Sequence, residues 1–273
     1  MDSRLKLALA IPTFVAVAAV VGVIGMWFLA RYQQIKFKDM STHVSTLRVG
    51  ASTLADAEAL HRFYKSRATI DEWKCEAGSC KLRIELANFL VNRFPNKIME
   101  EDTLRINTHF LRRLGIRPAM AISEVSISNG KVKQVDFSAT YESPIGFWVW
   151  SAWHAMDEFD RVLKCQSLYL QRNPNYVVQS FPTGSGGFHG RVVTAFFQPQ
   201  ASPDEQSRSR YIRFGCMTSP FECTKDLSFG AGPFMPLVYQ DILAERADRD
   251  ANPQEYSKAY KAYEDCVYGS GLR

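Results

Sequence analysis

The sequence predicts an α+β fold: one N-terminal transmembrane helix, then a mixed, mostly antiparallel sheet with packed helices. Three observations carry that expectation. Leu7–Ala30 is an unbroken apolar run. Asn129-Gly130 joins two strand-patterned runs. Helix-patterned and strand-patterned stretches follow one another without the regular βαβ alternation of a parallel fold.

The apolar run reads LALAIPTFVAVAAVVGVIGMWFLA and holds no charge. At about 1.5 Å per residue it reaches about 36 Å, enough for a hydrocarbon core of about 30 Å with some tilt. Lipid offers backbone groups no partners, so a single span must be helical. Pro12 falls in the first turns, where a missing N–H costs least. Trp27 and Phe28, with Arg31 and Tyr32 beyond, suit the interface. A cleaved signal peptide would have a shorter apolar core and small residues before the cut. Here Phe28 and Leu29 precede Ala30. No Cys follows the run to carry a lipid. The lipid bilayer is therefore the expected partner of Leu7–Ala30.

The rest of the chain divides simply. Residues 1–31 form the cytoplasmic tip and anchor. Residues 32–46 are a juxtamembrane connector, and its polar, partly basic stretch Gln33–Thr46 is able to continue the anchor helix. Residues 47–273 form a soluble α+β domain, with 47–143 and 144–273 as candidate subdomains. A hydrophobic fraction of 46% against 22% charged residues supplies a real core and argues against disorder.

The net charge of +5 is unevenly spread. Arg4, Lys6, Arg31, Lys36 and Lys38 against Asp2 and Asp39 put more than half of it beside the membrane. Anionic headgroups attract such a cluster. Nucleic acid is not expected as a partner, because the folded domain keeps little basic excess.

Within the domain, Thr53-Leu-Ala-Asp56 is a capping box, and Leu54, Ala57, Leu60 and Phe63 or Tyr64 recur at helical spacing. A helix is expected from about Thr53 to Lys65. Cys80–Leu86 alternates strictly, with Leu82, Ile84 and Leu86 against Lys81, Arg83 and Glu85, as in a half-buried strand. Thr103–Leu114 reads as a helix ending at Gly115. Val125–Ser128 and Lys131–Tyr141 form a hairpin whose Asn129-Gly130 fits a type I′ turn. Helical spacing of Met156, Phe159 and Leu163 predicts a helix from about Ser151. Tyr176–Phe181, Arg191–Phe197 and Tyr211–Cys216 read as strands; Gly184–Gly190 and Gln198–Ser209 read as loops. The chain closes with a helix at Leu237–Arg246 and a second that opens at Asn252-Pro-Gln-Glu255 and stops at Gly269.

All six cysteines follow the anchor. Cys75–Cys80 encloses a Gly-Ser turn and Cys216–Cys223 a Ser-Pro turn, so each pair can meet across a tight loop. Cys165 and Cys266 remain as the third candidate pair. Reduced, buried thiols and a zinc site are the rival readings. The spacings lack paired CxxC, and no His stands close to either pair. Disulfides require an oxidising compartment, which places the C-terminal domain outside the cytoplasm. The flanking charges alone slightly favour the opposite orientation.

The run Leu47-Arg-Val-Gly-Ala-Ser-Thr, leading into a helix through Leu60, resembles the Gly–Ser/Thr helix entry of small BamE-type outer-membrane assembly lipoproteins. Taken with the anchor, the Cys75/Cys80 pair, the Asn-Gly hairpin and the late Cys216/Cys223 pair, the chain resembles membrane-anchored bacterial envelope proteins. It departs from the BamE type in length and in lacking a lipidated Cys. The resemblance implies an inner-membrane, envelope location and transfers no catalytic or binding residue.

Candidate chemistry is sparse, and no residue is assigned to catalysis, to a metal or to a cofactor. The run Thr183–Gly190 is Gly-rich enough to cradle an anion. It matches neither a P-loop nor a nucleophile elbow, so a turn between strands is the better reading. His154, Asp157, Glu158 and Asp160 form an acid/base candidate, with His154 and Glu158 on one helix face, or else a solvated face. His43, His61, His109 and His189 are scattered. Phe147, Trp148, Trp150 and Trp153 read as core before ligand platform. The leading expectation is a membrane-anchored envelope interaction or structural module, with an envelope protein or a second copy as partner; Ala18–Gly22 would permit helix dimerisation. The alternative is an anchored hydrolytic enzyme with a site near His154 or His189.

Overall fold

The computed structural model describes residues 3–88, 118–142, 148–169, 173–183, 190–217 and 234–269. Helix α1 spans Ser3–Ser45 without a break, so the anchor run and the connector are one rod. Its apolar half exposes Phe14, Val15, Val20, Val21 and Phe28. By length and composition this helix can cross a membrane. Its last third is different. Phe37, Met40 and Val44 are fully buried, and their spacing of three and four puts them on one stripe. That stripe packs into the domain core.

Helix α2 (Leu54–Tyr64) starts where the capping box predicts. The Thr53 backbone N–H donates to Asp56 Oδ2 at 2.7 Å, and the Thr53 hydroxyl donates to the same oxygen at 3.0 Å. The stretch Leu47–Thr53 between the two helices lies against the head of the sheet. Gly50 takes a positive φ there, and its N–H donates to Val132 O at 2.8 Å.

Seven strands build one sheet: β1 (Ile70–Glu76), β2 (Ser79–Ala87), β3 (Ala119–Ser128), β4 (Lys131–Glu142), β5 (Trp148–Met156), β6 (Tyr176–Thr183) and β7 (Gly190–Phe197). Their spatial order is β1-β2-β3-β4-β5-β7-β6. All pairs are antiparallel except β5 with β7. The mixed, mostly antiparallel sheet expected from the sequence is therefore present.

The β3–β4 hairpin turns at Asn129 and Gly130, both with positive φ. A bulge follows: Ile127 faces Val132, whereas Ser126 faces Gln134. The extra residue, Lys133, lets Val132 and Val135 both reach the core despite their odd spacing. The β1–β2 turn is centred on Ala77 and Gly78 at positive φ, one residue earlier than the expected Gly-Ser turn. Strand β1 carries no clean alternation, and sequence reading missed it.

Residues 151–156 are strand, not helix. Val149, Ser151, Trp153 and Ala155 are buried in a period of two, and nine residues of β5 pair with β4. The helical spacing of Met156, Phe159 and Leu163 was real but belongs to the end of β5 and to α3 (Arg161–Tyr169). Two other expectations also fail. Gln198–Ser209 contains α4 (Pro203–Arg210), capped by Ser202, whose hydroxyl accepts from the Glu205 N–H at 3.2 Å. Tyr211–Cys216 is irregular backbone running into a 3₁₀ turn at Phe214–Met217, because it must cross the sheet face rather than join an edge. The closing helices, α5 (Pro236–Ala251) and α6 (Pro253–Tyr268), stand as expected, with Gly269 at positive φ ending the second. The expected helix Thr103–Leu114 lies outside the described residues.

Two layers of helix flank the sheet. One face carries the main core, where Phe37 and Val44 of α1, Leu60 of α2 and Val238 of α5 join Phe137 and Trp153. Among the described residues, the apolar cover of the other face lies at its β5–β7–β6 end, with Phe159 and Leu163 over Val177. Over β2 and β3 that face is a charged lattice, with Lys81 and Arg83 both on Glu124. The α1 stripe is thus a core element. Phe37→Ala should lower unfolding stability by about 3–5 kcal/mol, whereas Ile35→Ala, on the exposed side of the same turn, should cost under about 1 kcal/mol. Denaturant titration of the full-length chain in lipid nanodiscs checks this; equal stabilities would contradict the packing.

Candidate functional site

The histidine singled out by sequence sits on β5. His154 Nδ1 lies 2.8 Å from Asp136 Oδ1 across the β4–β5 pair, and Gln134 Nε2 donates to Asp136 Oδ2 at 2.7 Å. The Phe196 ring stacks on the imidazole with centroids 4.7 Å apart. The acidic residues expected beside His154 are elsewhere. Asp157 pairs with Lys133 at 2.6 Å, Asp160 Oδ1 accepts the Leu163 N–H at 2.8 Å at the start of α3, and Glu158 lies exposed 3.8 Å from Lys164. The shared helix face of His154 and Glu158 does not exist, because the segment is a strand.

Among the described residues no Ser, Thr or Cys hydrogen-bonds to His154, so the His–Asp pair has no nucleophile in reach. Nor does any trio of His, Cys, Asp or Glu gather among them as metal ligands would. His43 Nδ1 stands 3.1 Å from the Tyr64 hydroxyl, linking α1 to α2, and burial first, then the charge of Asp39, pushes that hydroxyl up to about 12. His61 Nδ1 stands 3.0 Å from Asp71 Oδ1, linking α2 to β1. His109, His189 and the Gly-rich run 184–189 lie outside the described residues. The aromatic cluster splits: Trp153 is buried on Phe137, and Trp150 is half exposed.

A more promising feature lies on the opposite face, at the foot of α1. A cleft of about 720 Å³ opens between the end of α1, the Leu47–Thr53 stretch, the ends of β5 and β7, and α4. Arg48 and Arg210 both line it, with Ser45, Gln206, Ser207 and Tyr211 supplying further polar groups. Phe197, Val49, Pro199 and Pro203 give it apolar walls. No Asp or Glu is among its described lining residues. The Arg210 guanidinium lies 5.0 Å from the Phe197 ring centroid and 5.6 Å from that of Trp153. Burial first, and then the charge of Arg48, pulls its pKa below the ordinary arginine value. Its buried Nε has no hydrogen-bond partner among the described residues. Sequence reading missed both arginines. The one available signal was Ser202-Pro-Asp-Glu205, a capping box that places Arg210 in the last turn of α4.

Two disulfides join pairs of described cysteines. Cys75 and Cys80 face each other across the β1–β2 hairpin and are joined. Cys165 of α3 is joined to Cys266 of α6. Cys216 is buried in the main core and is itself disulfide-bonded, and its expected partner Cys223 lies outside the described residues. Compared with protein-family models, with curated proteins and with solved structures, the chain shows no significant match.

Helix α6 buries none of its residues. It is held to α3 by the Cys165–Cys266 bond and by Arg161 Nε donating to Cys266 O at 2.9 Å. Mild reduction should release α6 and leave the sheet folded. Trypsin should then cut at Lys258 and Lys261 on the order of tenfold faster, while sites on β2 stay protected. Simultaneous loss of protection in the sheet would show that the bond holds the whole domain.

Proposed function

We propose that this chain is a single-pass protein of the bacterial inner membrane, anchored through Leu7–Ala30, with its C-terminal domain outside the cytoplasm. There it serves as an envelope interaction or structural module, not as an enzyme. The observation that carries the reading is α1 itself: its first part exposes an apolar surface that water would not tolerate, and its last part is domain core. The domain is therefore held at a fixed attitude to the membrane, as a module that presents a surface to a partner requires. The Cys75–Cys80 and Cys165–Cys266 disulfides support an oxidising compartment. The Leu47–Leu60 resemblance to BamE-type helix entries points the same way. The partner in this reading is another envelope protein, or a second copy through the Ala18–Gly22 face.

The hydrolytic alternative near His154 has less support. Its imidazole is clamped by Asp136 and Phe196 and meets no nucleophile among the described residues. Non-reducing peptide mass spectrometry on protein from native membranes, with thiols blocked at lysis, tests the placement. Linked Cys75–Cys80 and Cys165–Cys266 peptides are the expected result. Alkylated, unlinked cysteines would overturn it and favour a domain facing the cytoplasm.

A further inference from the structure

We propose that the cleft between α1 and α4 is a binding site for an organic anion, with a phosphate or carboxylate head on Arg48 and Arg210 and an apolar body against Phe197 and Pro199. This assignment stands apart from the side of the membrane the domain faces.

The argument begins with charge. Two guanidiniums close enough to repel each other line one cleft, and neither makes an ion pair among the described residues. Arg48 is exposed, but the Arg210 guanidinium is partly buried, and proteins rarely leave such a charge unpaired, because desolvation is costly without a counter-charge. The described acids around it are already engaged. Asp204 and Asp241 hold Arg208, Glu205 caps α4, and Asp157, beside Gly50, holds Lys133. No described acid is thus left to face the two guanidiniums, and an anion from outside the chain would meet them.

Shape and chemistry narrow the class. Guanidinium forks match the oxygens of carboxylate and phosphate and can bind them bidentately. Arg210 lies over Phe197 and Trp153, contacts that restrict it before any ligand arrives and so reduce the entropy lost on binding. The cleft volume falls inside the usual range of small-molecule sites, far above what a bare inorganic ion fills. Its apolar walls would gain nothing from such an ion. A ligand with both an oxyanion and a ring or short chain uses all of the surface.

The source of that anion is a soluble molecule or a lipid headgroup. Ser45, at the cleft, stands about 22 Å farther along the helix than Ala30, at about 1.5 Å per residue. That reach favours a soluble anion over a headgroup of the same bilayer.

The test is calorimetric titration of the full-length chain in phosphatidylcholine nanodiscs. Phenyl phosphate should bind saturably and more tightly than inorganic phosphate, and phenol should not bind. Arg48→Gln, at an exposed position, should weaken phenyl phosphate by about tenfold or more without changing thermal unfolding. Arg210→Lys, which keeps the charge and loses the fork, should weaken it too. Repeating the titration in phosphatidylglycerol discs separates the sources. Unchanged binding assigns a soluble anion; competitive loss that requires Arg48 assigns a lipid headgroup. No saturable binding, or equal binding in wild type and both variants, would overturn the site.

Discussion

The structure depends on the burial of one helical stripe. Phe37, Met40 and Val44 leave the solvent entirely, on the same rod whose N-terminal part is apolar and exposed. Each such side chain contributes about 1.5–3 kcal/mol by leaving water. With domain stabilities of only about 5–15 kcal/mol, a stripe of three is a large share. A flexible tether would leave the domain free to tumble. A helix that is itself core cannot tilt without opening that core.

The rest of the fold is arranged around this entry. The α1 stripe lands on the face of β4, and the Gly50 backbone locks onto Val132 just beyond the Asn129-Gly130 turn. The β4 bulge at Lys133 corrects the register so that Val132 and Val135 both meet the helices. On that same face the aromatic floor of Phe137, Trp153 and Phe197 continues under α4 and carries Arg210 into the cleft. The opposite face does little of this. Its ion pairs lie in solvent or half-buried, and pairs of that kind contribute little.

Legibility from sequence followed the length scale of the signal. Local patterns survived: the Thr53/Asp56 box, the Leu82–Ile84–Leu86 alternation, the Asn-Gly hairpin and the Asn252-Pro-Gln-Glu255 entry all lie where they were read. The β5 segment failed because its alternation of Val149, Ser151, Trp153 and Ala155 hides a small polar residue among large ones. Only pairing with β4 and β7 makes it a strand, and pairing is non-local. Tyr211–Cys216 failed for the converse reason: an apolar run can be buried without being paired. The cleft was not legible at all. Arg48 and Arg210 are far apart in the chain, and only the crossing of α1, β5, β7 and α4 brings them to one wall. The Cys165–Cys266 link was reached as the pair left over, whereas Cys75–Cys80 followed from a short loop.

Amide hydrogen exchange of the full-length chain in nanodiscs tests the central claim most directly. If the end of α1 is core, the amides of Phe37–Val44 exchange as slowly as those in the middle of β4, through global unfolding. Fast exchange of Phe37–Val44 while β4 stays protected would make this stretch a mobile tether and contradict the account.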